Sequence, residues 1–166
     1  VDNFKVDPVN KESLKEFMLT HKVPEKNTVL PVRDTDYLKW RLLNSPDKEK
    51  YRIIINDNSS IIVKIDNNYS KYIDILWVSN SFAYSIVRDI ISALAIWGIY
   101  NNYSYIRHAI SNKIMSNYLK KYLLPIVRHP RFAYYSKETE LFNKIKKYNW
   151  HYDLIDSDFE KHDRKN

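Results

Sequence analysis

The chain of 166 residues contains no cysteine and only one glycine, Gly98. The absence of cysteine excludes disulfides, thiolate catalysis and zinc sites built from cysteine. The five histidines occur at none of the spacings typical of metal-binding motifs, so we expect no metal site. The longest apolar run, Ile90 to Tyr100, is shorter than the roughly 20 residues that span a bilayer. No signal peptide is recognisable either, and we expect a cytoplasmic protein without a membrane span.

Positive charge exceeds negative charge, with 27 Lys and Arg against 20 Asp and Glu, a net charge of +7. Such a surplus favours nucleic acid, anionic lipid or an anionic nucleotide cofactor as a partner. A basic solvated surface is the other interpretation, which the scattered placement of the charges favours. Nucleic acid is the less favoured partner, because no RNP, KH or helix-turn-helix signature is present.

Hydrophobic periodicity and turn residues predict strands that run together first and alternate with helices later in the chain. Residues 24–32 and 56–60 are predicted to be loops. The predicted order is α+β: a mixed, mostly antiparallel sheet with helices on both faces, in one domain over residues 1–158, with a charged tail over 159–166. The predicted elements are strand Phe4–Asp7, helix Asn10–His21, a helix capped by Asp34 and ended by Pro46, strands Tyr51–Ile55, Ile61–Ile65 and Tyr72–Val78, helix Phe82–Tyr100, strand Tyr103–Ile110, helix Ser111–Leu124, strand Arg131–Tyr135, a short helix Glu138–Lys147 and strand Trp150–Ile155.

A local motif resembles a known superfamily. The spacing Asp34-x-x-Tyr37-Leu38-x-Trp40-Arg41, followed by Pro46 and a strand that opens at Tyr51, is similar to that of bacterial GNAT proteins, the GCN5-related N-acetyltransferases. Some of these proteins carry two GNAT-like halves in tandem, and Val32-Arg33-Asp34 resembles the second half. The closing segment Trp150–Asp158 is similar to the end of these domains. The resemblance covers Phe4 to Asp158.

The resemblance implies an N-acetyltransferase that uses acetyl-CoA and acts on an amine of a sugar or another small metabolite. It also implies an N-terminal partner domain or a homodimer. Because the chain starts with Val1 rather than Met, we expect the C-terminal half of a longer tandem protein.

The strand that ends at Val78 corresponds to the family's pantetheine-binding strand, and the turn after it to the pyrophosphate site at a helix N-terminus. Family members place Gly-x-Gly or Gly-x-Ala in this turn, whereas this chain has Asn80-Ser81-Phe82-Ala83-Tyr84, whose side chains can block close approach of a diphosphate. Arg88 is either a phosphate contact or a surface ion pair, and Asn112 either holds the cofactor or caps a helix. The implied cofactor-binding residues are Leu76, Trp77, Val78, Asn80, Ser81, Phe82, Ala83, Arg88 and Asn112.

Two residues are candidates for proton transfer. Tyr118 occupies the tyrosine position of a family Tyr-x-x-x-Gly-Phe stretch, here with Tyr122 at the glycine position, and is implied to protonate the departing thiolate. The alternative for Tyr118 is an ordinary core aromatic. Asp74 is either a base toward the acceptor amine or a paired acid on the sheet.

The helix that follows Asp34 offers candidate substrate-binding residues. Tyr37 and Arg41 share a face with Trp40, and this face either stacks on a substrate or closes the core. We expect Trp40 to be buried with the neighbouring leucines, and Arg41 to suit a carboxylate or phosphate.

Two functions stay open. The chain is either an acyl-CoA-dependent N-acyltransferase or a cofactor-free GNAT-fold module that binds a substrate or a partner within a tandem protein. The missing glycines favour the module, and Tyr118 favours the enzyme.

Overall fold

The computed structural model describes residues 4–21, 28–29, 33–57, 59–67, 71–79, 84–108, 117, 143 and 149–150. These ranges contain seven strands, three α-helices, a π-helical segment and a 3-10 turn. They are β1 (Phe4–Pro8), α1 (Lys11–Thr20), β2 (Thr28–Val29), α2 (Thr35–Leu38), a π-helical segment (Lys39–Leu43), a 3-10 turn (Lys48–Lys50), β3 (Tyr51–Asn56), β4 (Ser59–Asp66), β5 (Tyr72–Val78), α3 (Tyr84–Tyr100), β6 (Tyr105–His108) and β7 (Asn149–Trp150).

The main sheet has five strands in the order β1-β3-β4-β5-β6. Neighbours are antiparallel except β5 and β6, which run parallel. The α+β class with a mixed, mostly antiparallel sheet is therefore confirmed. β2 and β7 form a separate parallel pair of two residues each. Residues 28–29 were predicted to be loop, and this was wrong because a two-residue strand shows no periodicity.

Buried side chains form two clusters, and alternate residues along a strand belong to different clusters. In β3, Tyr51, Ile53 and Ile55 belong to a cluster with α1 and α2, whereas Ile54 belongs to a cluster with α3. Alternate residues of a strand point to opposite faces of the sheet, which explains this division. The fully buried isoleucines of β3 and β4 thus contribute to both clusters.

Side-chain caps define the first two helices. The Asn10 side chain accepts from the Ser13 amide and the Ser13 hydroxyl accepts from the Asn10 amide, which completes a capping box. Asp34 accepts from the Tyr37 amide, as predicted. The helix after Asp34 is not α-helical throughout, because it widens to π geometry at Lys39, whose carbonyl accepts from the Asn44 amide.

The α3 helix ends at a left-handed residue rather than at its glycine. The Asn102 amide bonds the Ile99 carbonyl and the Tyr103 amide bonds the Gly98 carbonyl, with Asn102 at φ 60°. This is the Schellman arrangement, in which asparagine can replace glycine. Gly98 instead lies buried inside α3, where an added Cβ would sit 3.2 Å from Cδ1 of Ile73. The predicted helix end at Tyr100 is therefore confirmed, and Asn101-Asn102 rather than Gly98 follows it.

The hairpin between β3 and β4 is tighter than the sequence indicated. Ser59 and Ser60, predicted to be loop, begin β4 and pair with Asn56 and Ile55. Within the described ranges, no helix is both long enough and apolar enough to cross a membrane.

Candidate functional site: the bulged end of β5

The strand β5 contains a bulge near its C-terminal end. Ile62 of β4 pairs with Trp77 and the next residue, Val63, pairs with Ile75, so Leu76 is the extra residue. A bulge reverses the alternation of side chains. Leu76 and Trp77 accordingly both pack in the cluster with α1 and α2, whereas Ile75 packs in the cluster with α3. Bulges are frequent beside active sites because they redirect backbone and side chains.

The bulge lies just beyond the described contact between β5 and β6. The two strands pair from Tyr72 with Tyr105 to Ile75 with His108. The side chains of Leu76, Trp77 and Val78 are almost completely buried. A ligand at this end of β5 would therefore meet the backbone rather than these side chains, which is the mode of cofactor contact that the resemblance implies.

Cationic and aromatic side chains surround Trp77. Its ring centroid lies 4.6 Å from that of Phe17 and 4.8 Å from that of His21. The guanidinium carbon of Arg33 lies 4.6 Å from the Trp77 ring centroid, and Arg33 is itself buried. A desolvated cation over an indole contributes about 2 kcal/mol. This arrangement ties the start of α2 and the end of α1 to the bulged strand.

Sequence reasoning assigned neither Arg33 nor His21 to a site. A signal for His21 was present, since it recurs with Leu14 and Phe17 at helical spacing. No local pattern pointed to Arg33, because its contact depends on where α2 docks on the sheet.

Asp74 lies two residues before the bulged Leu76 and is held by Arg107 of β6. The Nε and Nη2 atoms of Arg107 donate to the two carboxylate oxygens, each at 2.6 Å. Only 5% of the Asp74 side chain is exposed, against 32% of that of Arg107. Of the two interpretations of Asp74, the ion pair is the one found. A role as proton acceptor stays a prediction, and it requires that an amine reach a carboxylate lone pair that the Arg107 hydrogen bonds leave open.

Tyr72 supports the same ion pair. The Arg107 guanidinium lies 3.6 Å from the Tyr72 ring centroid, and the Tyr72 ring stacks on Tyr105 at 5.6 Å. Burial and a hydrogen bond with Asp66 raise the pKa of Tyr72 to about 12, against the lowering effect of Arg107. Burial lowers the Arg107 pKa, but the hydrogen bonds and attraction of Asp74 outweigh it, so the Arg107 pKa is raised overall.

A second, partly buried ion pair involves Lys64 of the neighbouring strand β4. The Lys64 ammonium, opposite Asp74 in the β4–β5 register, bonds an Asp47 carboxylate oxygen at 2.8 Å. It lies 5.8 Å from the Tyr51 ring centroid. The Lys64 hydrogen bond is the largest influence on Asp47, whose pKa is lowered. The α1/α2 face of the sheet therefore holds two charged pairs beside the bulge, where the sequence analysis had named only Asp74.

The predicted substrate-binding face of the α2 region is partly open. Tyr37 and Arg41 are half-buried, and the Tyr37 and Trp40 ring centroids are 5.9 Å apart. The prediction that Trp40 is buried was wrong, since 62% of it is exposed. Helical geometry explains this, because two residues advance the helix by about 200° and place Trp40 opposite the buried Leu38.

The remaining predicted residues lie elsewhere. Arg88 on α3 is exposed and its Nε donates to the neighbouring Asp89 at 2.9 Å, the surface ion pair that was its alternative interpretation. The other predicted cofactor and catalytic residues lie outside the described residues, and their roles stay predictions: Asn80, Ser81, Phe82, Ala83, Asn112 and Tyr118. Within the described part of the chain, no group of three or more His, Asp or Glu side chains could hold a metal ion.

An open groove lies at the opposite edge of the sheet, between β1 and the end of α1. It is lined by Lys5, Glu16, Leu19, Thr20 and Asp57, among others. The Lys5 ammonium lies 2.6 Å from an Asp7 carboxylate oxygen. The groove is lined by none of the residues predicted for the site, whereas Leu76, Trp77 and Val78 lie at the bulged end of β5, which is therefore the stronger candidate.

Comparison with known proteins adds no relative to this picture. No protein-family model, curated protein or solved structure matches the chain.

Proposed function

We propose that this chain is a GNAT-like N-acyltransferase that transfers an acetyl group from acetyl-CoA to an amine of a sugar or another small metabolite. The observation that supports this best is the bulge at Leu76, next to the point where the described pairing with the parallel strand β6 reaches Ile75. It offers irregular strand backbone at the position that the resemblance assigns to the cofactor.

The arrangement of the sheet supports the same proposal. Its first four strands form an antiparallel series and the fifth joins in parallel after a helix. Residues of α1 and α2 pack in one cluster and those of α3 in the other, as expected for a GNAT-like sheet with helices on both faces. Fold alone does not define an activity, so the chemistry must come from the site.

In the proposed reaction, the amine nitrogen forms a bond to the thioester carbonyl carbon as the carbon–sulfur bond breaks. Backbone N–H groups of the segment Ile75–Val78 hold the carbonyl oxygen, where negative charge develops. A base takes the amine proton, and Tyr118 returns a proton to the departing thiolate. Asp74 is a base in this scheme only if the amine reaches a carboxylate lone pair that the Arg107 hydrogen bonds leave open.

A cofactor-free module of a tandem protein is the second candidate. It is favoured by the absence of glycine from residues 80–84 and by the pairing of Asp74 with Arg107. Such a module would bind its substrate or partner without acyl transfer.

Calorimetric titration of the chain with acetyl-CoA separates the two candidates. Micromolar binding supports the acyltransferase. If millimolar acetyl-CoA produces neither heat nor a thermal shift, the acyltransferase proposal is wrong for this chain and the module remains.

Given binding, Tyr118→Phe tests the proton donor. We expect turnover to fall by about a hundredfold, in the range typical of general acids, with little change in acetyl-CoA affinity. Tyr100→Phe is the matched control, because Tyr100 is 82% exposed at the end of α3. Equal turnover in the two variants would remove Tyr118 from the mechanism.

A further inference from the structure

Three hydroxyl groups meet behind the bulged end of β5. The Oγ1 of Thr20 lies 2.6 Å from Oγ of Ser60 and 2.9 Å from Oγ of Ser79, and the two serine oxygens are 3.1 Å apart. Ser60 and Ser79 are completely shielded from solvent. We call these three residues the hydroxyl triangle.

The hydroxyl triangle joins three elements that are far apart in the chain. Thr20 is the last residue of α1, Ser60 lies near the start of β4, and Ser79 follows β5 directly. Backbone groups reinforce it: the Ser79 amide donates to the Ser60 carbonyl at 2.9 Å, and the Ser60 amide donates to the Ser79 hydroxyl at 2.7 Å. The position of Ser79 is therefore defined both by its amide and by its side chain.

The contacts of the hydroxyl triangle depend on one another. Each hydroxyl has one hydrogen to donate and two lone pairs to accept with. The Thr20 hydroxyl also lies 2.8 Å from the Phe17 carbonyl, so it must share its hydrogen among several acceptors. Ser60 and Ser79 are buried, whereas Thr20 is partly buried, so loss of the Thr20 hydroxyl takes one partner from each of two buried serine hydroxyls. Loss of a partner at a buried polar group is more costly than loss of an exposed hydrogen bond.

Next to Thr20, His21 packs edge-on against Trp77 at the bulge itself. The end of α1 thus has two adjacent contacts with the end of β5, one polar through Thr20 and one aromatic through His21. Beyond the bulge, β5 still pairs with β4 through Trp77 and Val78, but its described pairing with β6 reaches only Ile75. The contacts from the end of α1 add a further constraint on this segment.

We propose that the hydroxyl triangle is a positioning device. It holds Val78 and Ser79, at the C-terminal end of β5, in the geometry required for cofactor binding. This inference rests on the proposed acyltransferase function. Its residues do not touch the cofactor in this scheme; they act through the backbone that does. Pre-organised backbone contacts raise affinity because less order has to be imposed on binding.

The test is a pair of substitutions at Thr20. Thr20→Val removes the hydroxyl while keeping the shape, and Thr20→Ser keeps the hydroxyl. We expect Thr20→Val to weaken acetyl-CoA binding about tenfold, the change that corresponds to 1.4 kcal/mol. Thr20→Ser should restore affinity close to that of the wild type. Thr35→Val, on the exposed first turn of α2, is the matched control and should change nothing.

Amide hydrogen exchange provides a readout that needs no cofactor. In Thr20→Val, exchange of the Ser60 and Ser79 amides should accelerate, while that of Ile53 in the middle of β3 should not. Ser60→Ala tests the same network if Thr20→Val does not fold. A structural role alone would lower the melting temperature and leave acetyl-CoA affinity unchanged.

The possible failures are distinct. If the wild type binds no acetyl-CoA, the proposed function is wrong. If it binds, but Thr20→Val and Thr20→Ser have equal affinities, the positioning role is wrong and the proposed function stands. Unchanged exchange at Ser60 and Ser79 would also overturn the positioning role, whatever the affinities.

Discussion

Removal of the Arg107 side chain should be far more damaging than removal of an ordinary surface charge. Arg107→Met keeps much of the side-chain volume but takes away both hydrogen bonds to Asp74. The carboxylate left behind is only 5% exposed, so water cannot replace the guanidinium. Leaving such a charge without its partner costs roughly 3–5 kcal/mol.

The reverse substitution should cost less. In Asp74→Asn, the remaining guanidinium is 32% exposed and still lies over Tyr72. It can turn partly toward solvent, and the loss should be about 1–3 kcal/mol, the usual cost of a poorly satisfied buried group. Arg107→Lys should lie between wild type and Arg107→Met, because lysine keeps the charge but not the two-pronged geometry.

Urea unfolding followed by tryptophan fluorescence measures these differences. With a slope of roughly 2 kcal/mol per molar urea, Arg107→Met should lower the midpoint by about 2 M. The matched control is Lys39→Met, which breaks an exposed ion pair with Asp36. The Lys39 side chain is 44% exposed and the Asp36 side chain is 89% exposed. That variant should lose no more than about 0.5 kcal/mol. If Arg107→Met is no more destabilising than Lys39→Met, or less so than Asp74→Asn, the buried-charge reasoning is wrong.

Three further predictions concern the same sheet and its helix. Between pH 10 and about 12 the Tyr72 phenol ionises in the unfolded chain but not in the folded one, so its contribution to stability, up to about 2 kcal/mol, is lost as the pH rises. The difference in unfolding free energy between wild type and Tyr72→Phe should therefore decline over that pH range. A constant difference would contradict the raised pKa. Gly98→Ala gains about 1 kcal/mol of helix propensity, but the new Cβ would lie only 3.2 Å from Cδ1 of Ile73. In thermal denaturation, Gly98→Ala should therefore raise the melting temperature more in an Ile73→Val background than in the wild type. Equal effects in the two backgrounds would rule out the crowding. Asn102→Gly should raise the free energy of unfolding by up to about 1 kcal/mol, because glycine adopts φ 60° without strain, and Asn101→Gly, outside the left-handed position, should not.

Local signals explain most of what was predicted correctly. Asn10 and Asp34 cap their helices because their side chains reach amides within the same turn. The strands around Ile53, Ile62 and Ile75 were recognisable because β-branched runs between turn residues favour extended backbone. These features depend on neighbours within a few positions along the chain.

Predictions were wrong where the angular spacing of helical residues was not applied, or where an element was too short to show a periodic pattern. Trp40 was expected inside, although helical spacing alone places it opposite Leu38. The strand Thr28–Val29 left no pattern at all. The widening of the helix to π geometry at Lys39 was not predicted, because hydrophobic periodicity does not distinguish π from α hydrogen bonding.

The candidate site depends mainly on contacts between distant residues. The sequence indicated that Asp74 lies in a strand, but not that Arg107, 33 residues later, would occupy both its oxygens. Likewise Thr20, Ser60 and Ser79 are ordinary polar residues in isolation, and they form the hydroxyl triangle only after α1 docks on the sheet.

By itself, the sequence determined the class of fold, the helix caps and the main strands, because caps and periodicity are properties of short segments. Only the tertiary structure decided the bulge at Leu76, the ion pair of Asp74 and the hydroxyl triangle. Each of these depends on the register between strands or on how a helix packs against the sheet. A shift of one residue in register would turn the same side chains to the other face.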